Sequence, residues 1–364
     1  MRHIQLDTDC EGTLALNDNA FELCRDLLKP DGTRFFTQVS RYDHYLADIL
    51  KKTGYKAGDT LKLILPFFKA YGLTNAQIRE YSLKNLLLVP GVEKVYKFLQ
   101  AQEFPLFEIS TSYRQFAEAV GQKLGFKPDH IFCTELDLDR YSISPGEAEE
   151  LRRLKEELAA APEIELPVGA KTLEDLPATA QEVIGRCDRI FWEEIPEMDL
   201  GVIYQEVNPI GGPEKARALE ESVAKTGIGL ADTIYVGDSI TDVQAFEAVR
   251  AGGGLGISFN GNRDAVQAAQ VIVVASSAWP IALLASIFSY CGKESVLDLA
   301  ASAGQPGASR NLVLPEAVID YLVRGLHGHV FNIYPANTLN MEAVVQESLA
   351  MRAKLRGAAI AAWG

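Results

Sequence analysis

The sequence is poor in positive charge and has no paired cysteine motif. Its 35 lysine and arginine residues are outnumbered by 49 aspartate and glutamate residues, which gives a net charge of −14. Binding to a nucleic-acid backbone needs clustered cationic side chains, so no nucleic-acid partner is expected. The five cysteines form no C-x-x-C pair. Scattered cysteines in odd number are typical of buried thiols in a reducing compartment, and we expect a cytoplasmic protein.

Long apolar runs are also scarce. No cationic leader precedes an apolar stretch at the start of the chain, as a secretory signal would require. Residues 271–291 form one run long enough to cross a membrane, but Ser276, Ser277 and Pro280 interrupt it. We therefore expect a strand followed by a buried helix in this region, and no membrane span.

Two acidic motifs are the most informative part of the sequence. Residues 9–14 read D-C-E-G-T-L, and residues 237–242 read G-D-S-I-T-D. Each motif follows a short apolar run, and ligands of open parallel α/β sheets bind at the carboxyl ends of such strands. Carboxylates that meet there can hold Mg²⁺, and one of them could attack phosphorus.

These motifs resemble the first and fourth motifs of the haloacid dehalogenase superfamily of phosphohydrolases, D-x-D-G-T-[LV] and G-D-x-x-x-D. The fourth motif is matched in full, whereas Glu11 stands where the superfamily usually has its second aspartate. A register that begins at Asp7 keeps two aspartates but displaces G-T-L by two residues. We favour Asp9 as the first motif position and keep Asp7 as the alternative.

The other two motif positions can be found in order along the chain. Ser110, followed by Thr111, ends the strand-like run 104–109, and a helix is predicted from Arg114 to Leu124. Lys215 lies in the first turn of a helix that G-G-P-E opens at residues 211–214. Each signal is weak alone, but the order D, S, K, D fits alternating strands and helices.

The resemblance implies a role for each position. Asp9 would be the nucleophile and Glu11 the acid and base, although the extra methylene of glutamate displaces its carboxyl group. Ser110, Thr111 and Lys215 would bind the phosphoryl group. The expected cofactor is Mg²⁺, and its expected protein ligands are Asp9, Glu11 through its backbone carbonyl, Asp238 and Asp242.

The resemblance also implies an α/β fold with a Rossmann-like core, and residues 90–92 and 104–143 are nearest the phosphoserine-phosphatase-like branch. The core would comprise residues 1–14, 90–143 and 206–275 around a parallel sheet. Residues 15–89 would form a helical cap, 144–205 a second helical insertion, and 276–364 a C-terminal helical extension. In the cap, Arg34, Arg41, Tyr42 and His44 are polar groups that could meet an anionic substrate, although solvent exposure explains each of them as well.

Two functional hypotheses follow. The first is a Mg²⁺-dependent phosphatase that acts on a small phosphorylated metabolite through an aspartyl-phosphate. The alternative is a catalytically weak or inactive subunit that binds or regulates within a larger complex, with the C-terminal helices contacting a second copy or a protein partner. The sequence also resembles, more loosely, an archaeal energy-converting hydrogenase subunit that has haloacid dehalogenase character. This resemblance is based on residues 9–12 and 17–21.

Overall fold

The fold is built on a mostly parallel sheet. The computed structural model describes residues 2–167, 169–302 and 312–357. These residues form a seven-stranded sheet in the order β3-β2-β1-β4-β5-β6-β7. The first six strands run parallel, and β7 lies antiparallel to β6. The strands are β1 (Gln5–Thr8), β2 (Leu106–Tyr113), β3 (Ile131–Thr134), β4 (Thr233–Gly237), β5 (Leu255–Phe259), β6 (Val271–Ala275) and β7 (Phe331–Pro335).

Helices account for most of the remaining described chain. The π-helical segments Tyr45–Ile49 and Ile190–Glu194 continue α2 and α9. The α-helices are α1 (Asn19–Leu27), α2 (Gly32–His44), α3 (Thr60–Leu63), α4 (Leu65–Ala70), α5 (Asn75–Asn85), α6 (Val92–Ala101), α7 (Arg114–Leu124), α8 (Pro145–Ala160), α9 (Ala178–Arg189), α10 (Ile203–Glu206), α11 (Pro213–Thr226), α12 (Val243–Ala251), α13 (Arg263–Ala268), α14 (Trp279–Cys291), α15 (Lys293–Ser302), α16 (Glu316–Leu326) and α17 (Met341–Arg356).

Helices cover both faces of the sheet. Apolar side chains of α6, α7 and α14 pack on one face, and those of α11, α12 and α13 pack on the other. Every residue of β4, β5 and β6 is buried, as expected for strands of a parallel sheet with two covered faces. The predicted α/β class and the predicted helix Arg114–Leu124 are confirmed.

The strand order places a binding crevice at β1. Strands β2 and β3 lie on one side of β1, and β4, β5 and β6 lie on the other. The chain therefore leaves β1 toward β2 and leaves β4 toward β5, in opposite directions, and the loops that follow β1 and β4 separate at their carboxyl ends. The first and fourth motifs are in these two loops.

The two insertions share one apolar core. Buried side chains from residues 20–78 and from residues 136–207 belong to a single cluster, in which α8 packs on α2 and α4. Hydrogen bonds also join the insertions: Gln38 Nε2 donates to the carbonyl oxygen of Pro162 at 2.6 Å, and Arg152 donates to that of Ala70 at 2.6 Å. They therefore form one helical module over the carboxyl edge of the sheet. The domain boundaries stay a prediction.

The C-terminal region extends the core. Residues 271–291 form β6 and the buried α14, as expected, and no described helix is long and apolar enough to cross a membrane. Helices alone are predicted from the sequence after residue 275, but the structure also has β7, which adds an antiparallel edge strand to the sheet. The C-terminal extension predicted for residues 276–364 contains α14 to α17, and its residues 303–311 and 358–364 lie outside the described residues.

Candidate active site

Three carboxylates meet at the carboxyl edge of the sheet. Asp9 follows β1, while Asp238 and Asp242 follow β4. One carboxylate oxygen from each residue lies within 4.8 Å of the others, and all three side chains are buried. Two glycines allow this approach: a Cβ atom on Gly12 would lie 1.7 Å from Asp238 Oδ2, and one on Gly237 would lie 2.4 Å from Asp242 Cγ. The glycines of both motifs therefore have a direct steric role.

Lys215 connects two of these carboxylates. Its Nζ atom lies 2.8 Å from Asp9 Oδ1 and 2.7 Å from Asp242 Oδ1, and the side chain is fully buried. Pro213 begins α11, so Lys215 falls in the first helical turn and points at the sheet edge. Burial opposes its charge, but Asp242 and Asp9 outweigh that effect and raise the pKa of Lys215. The lysine is therefore a fixed cation between the first and fourth motifs.

Asp242 organises the loop after β4. Besides Lys215, it accepts hydrogen bonds from Tyr235 Oη at 2.7 Å and from the backbone N–H groups of Asp238 and Ser239 at 3.0 Å. A carboxylate with this many donors is held in one orientation. Asp242 therefore fixes both Lys215 and the backbone that carries Asp238.

Asp9, and not Asp7, faces the cavity at the sheet edge. Asp9 Oδ1 accepts a hydrogen bond from Cys10 N at 2.7 Å. Burial raises the pKa of Asp9 to about 7; repulsion from Asp242 adds to this effect, and attraction to Lys215 opposes it. Asp7 is enclosed elsewhere, where Gln5 and Ser222 donate hydrogen bonds to its carboxylate. The structure therefore supports the register in which Asp9 is the first motif position.

Glu11 lines the same cavity but lies apart from the carboxylate triad. Its Oε1 atom accepts a hydrogen bond from Asn19 N at 2.8 Å, at the start of α1 in the helical module. Burial, followed by repulsion from Asp18, raises the pKa of Glu11 to about 8. A carboxyl group with that pKa is mostly protonated at neutral pH and can donate a proton.

The hydroxyl groups near the carboxyl end of β2 have different environments. Ser110 is fully buried, and its Oγ atom accepts a hydrogen bond from Ser112 N at 3.0 Å, whereas the cavity is lined by Thr111 and Ser112. Among the described residues, Thr111 Oγ1 has no hydrogen-bond partner although it is buried. Sequence reasoning named Ser110 and Thr111 but missed Ser112. The available signal for Ser112 was the sequence S-T-S at residues 110–112. Strand β2 runs three residues beyond Ser110 and therefore includes Ser112.

The helical module forms part of the cavity wall. The cavity has a volume of about 180 Å³, and Phe36, Ser40 and His44 of the module line it. Of the four cap residues named from the sequence, His44 reaches this cavity. Arg34 is exposed, Arg41 pairs with Glu163 at 2.9 Å, and Tyr42 is buried with its hydroxyl on Asp188. Across the interface, Lys56 Nζ lies 2.9 Å from Glu214 Oε2 of the core.

The C-terminal helix also reaches the site, which sequence reasoning missed. Arg352 and Arg356 of α17 line the cavity, and both donate to Asp238 Oδ2. Arg352 continues the buried stripe of Val344 and Ser348 at helical spacing. A charged residue on the buried face of a helix was the available signal.

Comparisons with known proteins find similar folds only among solved structures. No family model matches the chain, and no curated protein matches it. Gene product AF1437 from Archaeoglobus fulgidus is 29% identical, with 98% of each chain covered and a TM-score of 0.77. A phosphoserine phosphatase with a phospho-aspartyl intermediate analogue is 16% identical over 75% of this chain and 93% of its own, with a TM-score of 0.44. A HAD family hydrolase from Salmonella enterica serovar Typhi is 13% identical over 71% and 62%, with a TM-score of 0.42.

The four motif positions lie together in the fold. Asp9, the hydroxyl-bearing end of β2, Lys215 and the Asp238–Asp242 loop meet at one edge of a sheet that has β1 at its switch point. This arrangement is the one that the resemblance to the haloacid dehalogenase superfamily implies. The looser resemblance to a hydrogenase subunit stays a prediction.

Proposed function

We propose that this chain belongs to the haloacid dehalogenase superfamily and is a Mg²⁺-dependent phosphohydrolase that acts on a small phosphorylated metabolite through an aspartyl-phosphate. The observation that carries the proposal is Lys215 Nζ, fully buried and within 2.8 Å of Asp9 Oδ1 and 2.7 Å of Asp242 Oδ1. A fixed cation beside a buried carboxylate can stabilise the charge of a phosphoryl group that this carboxylate attacks.

The carboxylate triad fits a magnesium ion. Mg²⁺ prefers oxygen ligands and is held by one or two carboxylates together with water and phosphate oxygens. Asp9 and Asp238 offer such oxygens in the buried triad, while Asp242 is already engaged by several donors. Bound there, the ion would supply positive charge that keeps Asp9 ionised and offsets charge on the phosphoryl oxygens.

The protein groups account for both halves of the reaction. Asp9 would attack phosphorus while the bond to the leaving oxygen breaks, and Lys215 and the unpartnered hydroxyl of Thr111 would donate hydrogen bonds to phosphoryl oxygens. Glu11, protonated at neutral pH, would give its proton to the leaving oxygen. The resulting carboxylate would then take a proton from the water that attacks the aspartyl-phosphate, which releases phosphate and regenerates Asp9.

The volume of the cavity favours a small substrate. A volume of about 180 Å³ is smaller than the usual range for drug-sized ligands, roughly 300–1,000 Å³. The helical module covers this space and would exclude bulk water during phosphoryl transfer. A small metabolite with one phosphate group suits such a volume better than a macromolecule.

The alternative function is a weakly active or inactive subunit that binds or regulates within a larger complex. Two observations favour it: Glu11 is held by Asn19 N at 2.8 Å, and α16 exposes Ile319 and Val323 on one face. A glutamate tied to α1 could be too constrained to transfer protons. An exposed apolar helix face suits contact with a second copy or another protein.

A phosphate-release screen separates these functions. Purified wild-type protein would be incubated with a panel of small phosphate monoesters, with and without Mg²⁺, beside the Asp9→Asn and Asp7→Asn variants. We expect Mg²⁺-dependent release that is lost in Asp9→Asn and retained in Asp7→Asn, because only Asp9 lines the cavity. If phosphate release were lost in Asp7→Asn and retained in Asp9→Asn, the nucleophile would be Asp7. Inactivity across the panel, with Mg²⁺ binding preserved, would favour the regulatory function.

A further inference from the structure

The C-terminal helix is fixed against the core beside the active site. Val344 and Val345 of α17 pack with Ile272 and Val274 of β6. Further along the helix, Ser348 Oγ donates to the carbonyl oxygen of Gly261 at 2.7 Å. These contacts direct the next turns of α17 toward the loop that carries Asp238.

Arg352 holds both the backbone and the side chain of Asp238. Its Nη1 atom donates to the Asp238 carbonyl oxygen at 3.2 Å and to Asp238 Oδ2. The side chains of both residues are almost completely buried. A single guanidinium nitrogen that binds both oxygens restricts rotation of the Asp238 side chain.

Arg356 extends this contact to the linker of the helical module. Its Nη1 atom lies 3.3 Å from Asp238 Oδ2, and its Nε and Nη2 atoms donate to the carbonyl oxygens of Leu16 at 3.1 Å and Asn17 at 2.8 Å. Leu16 and Asn17 are where the chain leaves the first motif for the module, and both are hydrogen-bonded to Leu87 on the returning segment. Arg356 thus connects this linker to Asp238.

Both arginines use the same oxygen of Asp238. With Oδ2 held by two guanidinium groups, Oδ1 is the oxygen that can serve a metal ion shared with Asp9. The positive charge of the arginines is balanced locally, because Asp18 and Glu11 also lie beside them in the cavity wall. Groups that orient a metal ligand in this way typically change metal affinity 10–100-fold when they are removed.

We propose that Arg352 is a positioning residue for the metal ligand Asp238, supported by Arg356, so that α17 is an integral part of the active site. This inference depends on the metal site of the proposed function. It assigns to the C-terminal extension a role in metal binding and, through Leu16 and Asn17, a physical connection between the helical module and the metal ligand.

Calorimetric titration of Mg²⁺ alone into the full-length protein tests this inference. Arg352→Met should weaken Mg²⁺ binding at least tenfold. Arg352→Lys should bind Mg²⁺ with intermediate affinity, since an ammonium group can still donate to Asp238 Oδ2. Arg263→Met is the matched control, because Arg263 forms an exposed pair with Glu342 at 2.7 Å at the start of α17, and none of the described hydrogen bonds or ion pairs joins its side chain to Asp238. Its Mg²⁺ affinity should equal that of the wild type.

Each result has a defined meaning. Wild-type affinity in Arg352→Met would overturn the positioning role, and tighter binding would show instead that the arginine competes with the metal. Equal weakening in Arg263→Met would mean that docking of α17, and not the contact with Asp238, is responsible. If Arg352→Met fails to fold, Arg352→Lys and Arg356→Met decide, and wild-type affinity in both would overturn the proposal. The wild-type titration, compared with Asp238→Asn, tests the metal site itself, so failure of the proposed function is recognised separately.

Discussion

Replacement of Lys215 by methionine is the most informative test of the buried charge cluster. Methionine approximates the lysine stem but removes the cation between Asp9 and Asp242, and Lys215 is completely buried. Removing one partner of a buried, hydrogen-bonded ion pair usually costs about 3–5 kcal/mol, because it leaves uncompensated charge in the interior. We expect Lys215→Met to lower the free energy of unfolding by an amount in that range.

The assay is chemical denaturation with and without Mg²⁺, read by circular dichroism. Mg²⁺ should stabilise Lys215→Met more than the wild type, since it supplies positive charge to the same carboxylates. Lys225→Met, in the last turn of the same helix and exposed, should change stability by about 1 kcal/mol or less. Equal destabilisation by the two substitutions would refute the argument that Lys215 compensates buried charge.

Three further predictions concern neighbouring groups. Glu11→Gln should lower turnover on the order of 10²-fold or more for a substrate with a poor leaving group; unchanged turnover in a steady-state assay would remove Glu11 from proton transfer. Calorimetry should show weaker Mg²⁺ binding in Asp238→Ala than in Asp242→Ala, and the reverse order would exchange their roles. Burial raises the pKa of Asp43 to about 7. The folded state then binds a proton that the unfolded state has lost, so stability falls as pH rises from about 4 to 7. Asp43→Asn should reduce that slope in denaturation measured across this range, and an unchanged slope would contradict it.

The acidic part of the site was predictable because each of its residues belongs to a short motif that directly follows a strand. Asp238 and Asp242 belong to one fully matched motif, and Asp9 follows the first strand, so the sheet edge alone brings them together. Lys215 was predictable for the same reason, since Pro213 marks the first turn of its helix. Because these motif residues lie at the carboxyl ends of parallel strands, the strand order alone is enough to predict that they meet.

The remaining features depend on packing between distant segments. Arg352 lies 114 residues from Asp238, and nothing in the pattern of α17 indicates which loop its buried face meets. Strand β7 was missed because its residues are mostly half-buried and it pairs with a single neighbour, β6. The shared core of the two insertions likewise depends on contacts such as Gln38 with Pro162, which no local pattern specifies.

Detection of the phospho-enzyme tests the central claim most directly. The wild-type protein would be mixed with a substrate found in the phosphate-release screen, quenched rapidly in acid, and analysed by peptide mass spectrometry beside Asp9→Asn. The account predicts a phosphate adduct on Asp9 in the wild type and no adduct in Asp9→Asn, because an amide at this position cannot attack phosphorus. Turnover without any adduct, or an adduct that persists in Asp9→Asn on another residue, would contradict it.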